Sequence, residues 1–453
     1  MRTKTNVPDV IVIGAGMAGL AATARLGRSG LSVLILEARD RIGGRVLTHT
    51  DKSLGAPIEF GAEFIHGFPP EIWEPLQRSN VKVTEVEGEN WCVDDGHLHP
   101  CRFFAQVDRI LEKMDDEAPD ESFLQFLERT SPRTADLRQA NARTRALGYI
   151  VGFNAADPNL VGVHWLVKGM QAEESIQGQR AFRAANGYES LLAIFREQLS
   201  ETGASFRMET VVKSIEWSPG EVTIGAHDRD GSSTFKTSRV VITVPLAILK
   251  APPGELGAIQ FTPRLQKEKV AALDKLEMGK VIRLVLKFKQ RFWERISPAN
   301  GEQTTANMSF LLSQDDWFPT WWTAMPEKTP IITGWAPFDC AERLTSKSAV
   351  FVVNQGLETL GRLLTIGVGD LQHSLEDAYS HDWQSDPFSR GAYSYGKVGA
   401  DGAQEALGRP VENTLFFAGE ATDTSGHNGT VHGAIASGYR AAEDVLRGLV
   451  DNS

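Results

Sequence analysis

Cysteine is scarce in this chain: Cys92, Cys101 and Cys340 are the only three in 453 residues, and none forms a CxxC pair. An odd, scattered set of this kind predicts neither a disulfide framework nor a zinc site, and it fits a reducing, cytoplasmic compartment. Basic excess is lacking as well, since 47 Lys and Arg stand against 58 Asp and Glu for a formal net charge of -11. A nucleic-acid partner calls for a basic face and is not expected. The acidic balance keeps the chain soluble and favours the approach of a cationic small molecule. Long apolar runs are also missing, because no stretch reaches the roughly 20 apolar residues that span a bilayer. Arg2 and Lys4 precede an apolar run as in a signal peptide, but Val10-Ile11-Val12-Ile13 passes straight into a glycine turn and reads as a buried strand. The last helix ends at Val450 without a hydrophobic tail, so no membrane anchor is expected.

What the chain does have is an ordinary globular composition, with 42% hydrophobic and 23% charged residues. Its length exceeds what one hydrophobic core serves, which predicts two interlocked domains. The first forty residues carry the strongest pattern. After the apolar strand come Gly14-Ala15-Gly16-Met17-Ala18-Gly19, an alanine-rich helix to about Arg28, a break at Gly30, and a second apolar strand from Leu31 to Leu36 that ends in Glu37. This order suits a dinucleotide. Gly14 permits a tight turn, Gly16 lets backbone approach a pyrophosphate, and Gly19 lets helix and strand pack closely. The helix start offers unpaired N–H groups to phosphate, and the acid at the end of the second strand suits ribose hydroxyls. Ala38, Arg39, Gly43, Gly44 and Arg45 then add a second glycine pair and further cationic donors for a buried diphosphate.

With that continuation the sequence resembles the flavin amine oxidase superfamily of monoamine oxidases, polyamine oxidases and lysine-specific histone demethylases. The resemblance implies non-covalent FAD, held by Glu37, Arg39 and Arg45. It also implies an α/β fold in which a Rossmann-like FAD domain of the glutathione reductase type interleaves with a substrate domain of mixed sheet and helices. Leu415 to Glu420, followed by Gly429-Thr430-Val431-His432-Gly433-Ala434, is similar to the family's closing motif, so Gly419, Glu420, Thr430 and Val431 are expected at the cofactor. A helix start near Thr430 and Val431 would aim N–H groups at the flavin ring. Between these ends, Gly187 to about Leu199 reads as a helix. Ser205 to Trp217 alternates and turns at Ser218-Pro219-Gly220 into Glu221 to Ile224, a hairpin. By resemblance Val212 lies against the adenine. Residues 81–180 read as mostly helical. The expected FAD domain comprises 1–80, 205–262 and 386–453, and the substrate domain 81–204 and 263–385. Trp317, Trp321, Trp322 and Trp335 fall in the latter, as core or interface packing or as substrate walls.

Four places are candidates for chemistry. In Gly61-Ala62-Glu63-Phe64-Ile65-His66, the resemblance puts Gly61 and Ala62 against the flavin, with Glu63 and Phe64 beside them and His66 facing the catalytic tunnel. Phe64 stands where the family's amino-acid oxidases carry arginine, which favours amines over amino acids. Ala392 stands where monoamine oxidases link the flavin through cysteine. Tyr393 or Tyr395 follows as a flavin wall or as packing, and Thr430 replaces the second aromatic of the monoamine oxidase cage. Arg283 occupies the position of the family's lysine that holds a water against flavin N5, while Lys280 points to the opposite face of the same strand. An arginine there suits a water or a substrate carboxylate. Trp383 is expected near the flavin or in the core. The leading expectation is an FAD-dependent oxidase of a small-molecule amine that uses O2. The alternatives are a flavin dehydrogenase or desaturase with another acceptor, and a non-catalytic FAD-binding module. The pairing of two chains into a homodimer is left open.

Overall fold

The computed structural model describes residues 7–133, 136–298 and 303–450. The strand Val10–Ile13 is buried at every position. It pairs in parallel with Val33–Leu36 and with Arg239–Ile242, and Ser205–Arg207 and Leu415–Phe417 complete the edges of a five-stranded sheet. Alternate side chains of the first strand enter two cores. Val10 and Val12 meet the helices Met17–Arg28, Glu189–Thr202 and Val431–Val450, whereas Ile11 and Ile13 meet Val212, Ile215 and Ile224 of a four-stranded sheet. Covering both faces is what makes the strand uniformly apolar. The first core also takes in Phe182 and Ala184 of the strand Ala181–Ala184, so residues 181–202, on the substrate side of the expected boundary, pack with the dinucleotide fold.

The second half centres on a seven-stranded sheet in which Val281–Phe288 lies between Leu375–Asp382 and Ile331–Pro337. All eight residues of that strand are buried. Ile282, Leu284, Leu286 and Phe288 fill one core with the helix Ala349–Leu364, while Arg283, Val285 and Lys287 face the other way. Residues 81–180 are mostly helical as expected, with helices Phe103–Leu111, Phe123–Thr130, Leu137–Asn154 and Val163–Ser175, but the far edge of the sheet takes strands from the start of this stretch. Glu89–Asp94 and His97–Pro100 form a hairpin around Asp95 and Gly96, both at positive φ, before the helices begin at Phe103.

The same hairpin overturns the expectation of unpaired cysteines. Returning the chain brings Cys92 and Cys101 to a Cα separation of 5.7 Å, and the structure joins them in a disulfide. A tally of three cysteines carries no record of which two a hairpin sets side by side. Cys340 is free and buried. No described helix is long and apolar enough to cross a membrane.

Candidate active site

The dinucleotide end is built from close backbone approaches. A Cβ added to Gly19 would fall 2.0 Å from the Gly14 carbonyl, whereas one added to Gly16 would meet nothing within 4 Å and would project into open space at the helix start. Met17 and Ala18 follow as buried members of the first core. Glu37, 4% exposed, accepts from Ala15 N at 2.7 Å and from Arg39 N at 2.9 Å, which anchors the acid beside the glycine loop. Arg39 bonds Asp386 at 2.6 Å and Ser389 at 2.9 Å, so it reaches across to the C-terminal part of the chain. Thr210 N donates to the Glu37 carbonyl at 2.8 Å, and Val212, 5% exposed, lies two residues further on. Ala38 is half-buried between these groups.

Glu420 joins the remaining segments. Its carboxylate accepts from Arg45 at 2.9 Å, Ser394 Oγ at 2.6 Å and Gly429 N at 3.0 Å. Arg45 also donates to the carbonyl of Ala392 at 2.6 Å. Gly43 N bonds the Ala15 carbonyl, which brings Gly44 and Arg45 up to the helix start, and Ala62 N reaches the Arg45 carbonyl at 3.4 Å. Gly419 N donates to Ser437 within the closing helix. Thr430 Oγ accepts from Gly433 N at 2.9 Å, the geometry of a side-chain cap, while Val431 packs against the first core. The hydroxyl of Thr430 therefore orders the helix start.

A buried charge network occupies the other face of the Val281–Phe288 strand. Arg283, 4% exposed, donates to the Gly61 carbonyl at 3.0 Å and pairs with Glu63. Glu63 also pairs with Arg183 at 2.6 Å and accepts from Trp322 Nε1 at 3.1 Å. Burial opposes ionisation of Glu63, but the Arg283 and Arg183 guanidiniums outweigh it and hold the carboxyl below its usual range. Lys280, by contrast, is exposed and pairs with Glu342. Arg183 and Trp322 complete this network, and no motif in the sequence singles out Arg183. The one available signal is its half-buried place on a short strand whose alternate residues are buried. Trp383, 3% exposed, donates to the Phe60 carbonyl at 2.9 Å one residue before Gly61.

His66, Phe64, Phe153 and Tyr393 line one region. The His66 ring lies 6.1 Å from that of Phe64 and 5.5 Å edge-on from that of Phe153, and Tyr393 OH donates to the Phe153 carbonyl at 2.6 Å. Gly429 abuts the Tyr393 ring, which brings the start of the closing helix to the same place. Burial drives the His66 pKa down to about 4, with a hydrogen bond to the Gly178 backbone only partly offsetting it, so the imidazole is neutral near pH 7. Tyr395 goes elsewhere: it is 3% exposed in the core with Phe123 and Phe126.

The flavin-containing amine oxidoreductase model matches residues 17–106 and 102–446. The chain belongs to this family. Polyamine oxidase 2 of Arabidopsis thaliana is 30% identical over 471 residues, covering 98% of this chain and 89% of that one. Lysine-specific histone demethylase 2 of Homo sapiens is 28% identical over 467 residues, 96% of this chain and 53% of that one. Putrescine oxidase bound to putrescine superposes with a TM-score of 0.79 at 21% identity, over 97% of this chain and 99% of that one, which shows the shared fold. As a family member the chain is an FAD-dependent oxidoreductase that acts on CH–NH or CH–NH2 groups. The residues fit FAD: the open space before Gly16 suits a phosphate, and Arg283 Nε is a buried donor without a partner among the described residues.

Proposed function

We propose that this chain is an amine oxidase of the polyamine oxidase type. It takes primary or secondary amines, long or polycationic ones in preference to α-amino acids, and passes the electrons to O2 with formation of H2O2. The observation that supports this most is the convergence of neutral His66, Phe153, Tyr393 and the helix start at Gly429 and Thr430 on one region. Bound FAD supplies the hydride acceptor for the amine α-carbon, and the imine product is hydrolysed in water. The protein's part is orientation and a dry wall. Hydride loss needs the unprotonated amine, and a histidine kept neutral by burial does not repel the ammonium form in which an amine or polyamine arrives. Arg283 is engaged by Glu63 and Gly61, which leaves its Nε to hold a water or the cofactor and argues against capture of a substrate carboxylate.

Binding of FAD without a covalent bond rests on Ala392 at the linking position. Acid precipitation should therefore release all the flavin, and flavin left on the precipitated chain would contradict this. Oxygen uptake with putrescine, longer polyamines and monoamines, halved on addition of catalase, tests the acceptor. Reduction by an amine without oxygen uptake would favour the dehydrogenase reading, which the arginine at position 283 keeps in play.

A further inference from the structure

Behind the start of the closing helix, Glu173, His427 and His432 each offer one ligand atom within 4.8 Å of the others. The three come from separate places. Glu173 lies in the helix Val163–Ser175, His427 in the loop before the closing helix, and His432 in that helix's first turn. Tight packing brings them together. Gly426, at φ +98°, has its open side against Lys168 and Ala172, where an added Cβ would fall 2.7 Å from the Lys168 carbonyl. Only glycine lets the loop press on that helix and set His427 beside Glu173. On the far side, a Cβ added to Gly178 would fall 1.9 Å from a Glu173 carboxylate oxygen, so that carboxylate lies directly over the chain. The loop is held as well, with Asp423 Oδ1 accepting from His427 N at 2.9 Å and from Ser425 Oγ at 2.7 Å.

The donors in this cluster lack the partners that buried groups ordinarily have. His432 is 3% exposed, and its Nε2 has no hydrogen-bond partner among the described residues. His427 Nδ1 is buried and equally unpartnered, while the two rings stand edge to face at 4.6 Å. A buried imidazole nitrogen left without a partner calls for an explanation, and an ion is one. We propose that Glu173, His427 and His432 form a binding site for a divalent metal ion of the zinc class. Two imidazoles and one carboxylate are a donor set that zinc favours, and three protein ligands leave a fourth position for water. Nitrogen donors disfavour magnesium and calcium, which select oxygen. His427 also forms part of the wall of a cavity of about 380 Å³ lined by Glu71, Asp423, Ser425 and Arg440, which provides a route from solvent and acidic groups along it. Closing on a metal needs only that the donors draw in by about 1.5 Å at most, from within 4.8 Å to the roughly 3.3 Å spacing a tetrahedral ion imposes. Bound metal would clamp the 163–175 helix to the start of the closing helix.

This site does not depend on amine turnover, so its test does not either. The FAD-loaded protein is stripped with a chelator, and Zn²⁺ is titrated in competition with a chromophoric chelator. One zinc per chain is expected, with Glu173→Gln and His427→Gln each weakening it at least about tenfold. X-ray absorption of the zinc-loaded unmodified protein should show two imidazole nitrogens and oxygen ligands, a result that stands even where a variant fails to fold. Failure of the unmodified protein to hold zinc would overturn the proposal, as would folded variants that bind it equally well or a shell without two imidazoles.

Discussion

The five-stranded parallel sheet and the seven-stranded sheet solve the problem of building a site in opposite ways. Around the first, the cofactor end is shaped by backbone: Gly19 against the Gly14 carbonyl, open space before Gly16, and N–H groups meeting one carboxylate of Glu37. Around the second, charge is buried on a strand with no exposed residue, and Arg283 is tolerable there because Glu63, shared with Arg183, faces it. Geometry fixed by backbone is robust to most side-chain changes outside the glycines. Geometry fixed by paired charges fails when one partner is removed, because the other is left buried and alone.

That contrast predicts where substitution does most harm. Glu63→Gln leaves the buried Arg283 and the half-buried Arg183 without their shared anion, and a drop in stability of about 3–5 kcal/mol is expected from denaturant unfolding. A melting curve unchanged by this substitution would show the network to be dispensable. Glu59 sharpens the point from the edge of the same network. Burial raises its pKa to about 7 from 4.5, against hydrogen bonds from Tyr188 N and Thr48. Its folded pKa lies above the unfolded one, so this contribution is complete below pH 4.5 and is lost as pH rises through 7. The wild-type chain should lose about 3 kcal/mol between pH 4.5 and 8 from this group, and Glu59→Gln should remove most of that slope. Equal slopes in the two proteins would mean that folding does not raise the Glu59 pKa.

Effects at the parallel sheet should be smaller and fall on cofactor binding. Glu37→Ala should weaken FAD by about 1.5–3 kcal/mol, read as a dissociation constant, while leaving the sheet intact. Unchanged affinity would remove Glu37 from the site. The mildest change is Arg283→Lys, which keeps a cation against Glu63. It should raise the rate of flavin reoxidation by O2, by no more than about tenfold, because a compact ammonium holds a single water better than a guanidinium. Stopped-flow traces identical to wild type would mean that Arg283 acts only through Glu63.

The same contrast explains what the sequence disclosed. Glycine spacing, an apolar strand and a terminal acid are local patterns, so the strand, the glycine turn, the helix and the second strand ending in Glu37 were legible from the sequence. Alternation along one strand also separated Arg283 from exposed Lys280. Arg183 was not legible, since its meaning comes from Glu63, 120 residues away. The Cys92–Cys101 pair and the hairpin that makes it were hidden for the same reason: a short apolar run, Trp91 to Val93, reads equally well as part of a helix. Tyr393 and Tyr395, two residues apart, could not be told apart until the fold sent one beside Phe153 and the other into a separate core.

Anaerobic mixing tests amine oxidation at an FAD site without involving oxygen. The yellow, FAD-loaded protein is mixed with putrescine, longer polyamines, monoamines and amino acids while flavin absorbance is followed. Bleaching by an amine, faster than by any amino acid, is the predicted result. A flavin that stays oxidised with every amine, or that an α-amino acid reduces fastest, would contradict it.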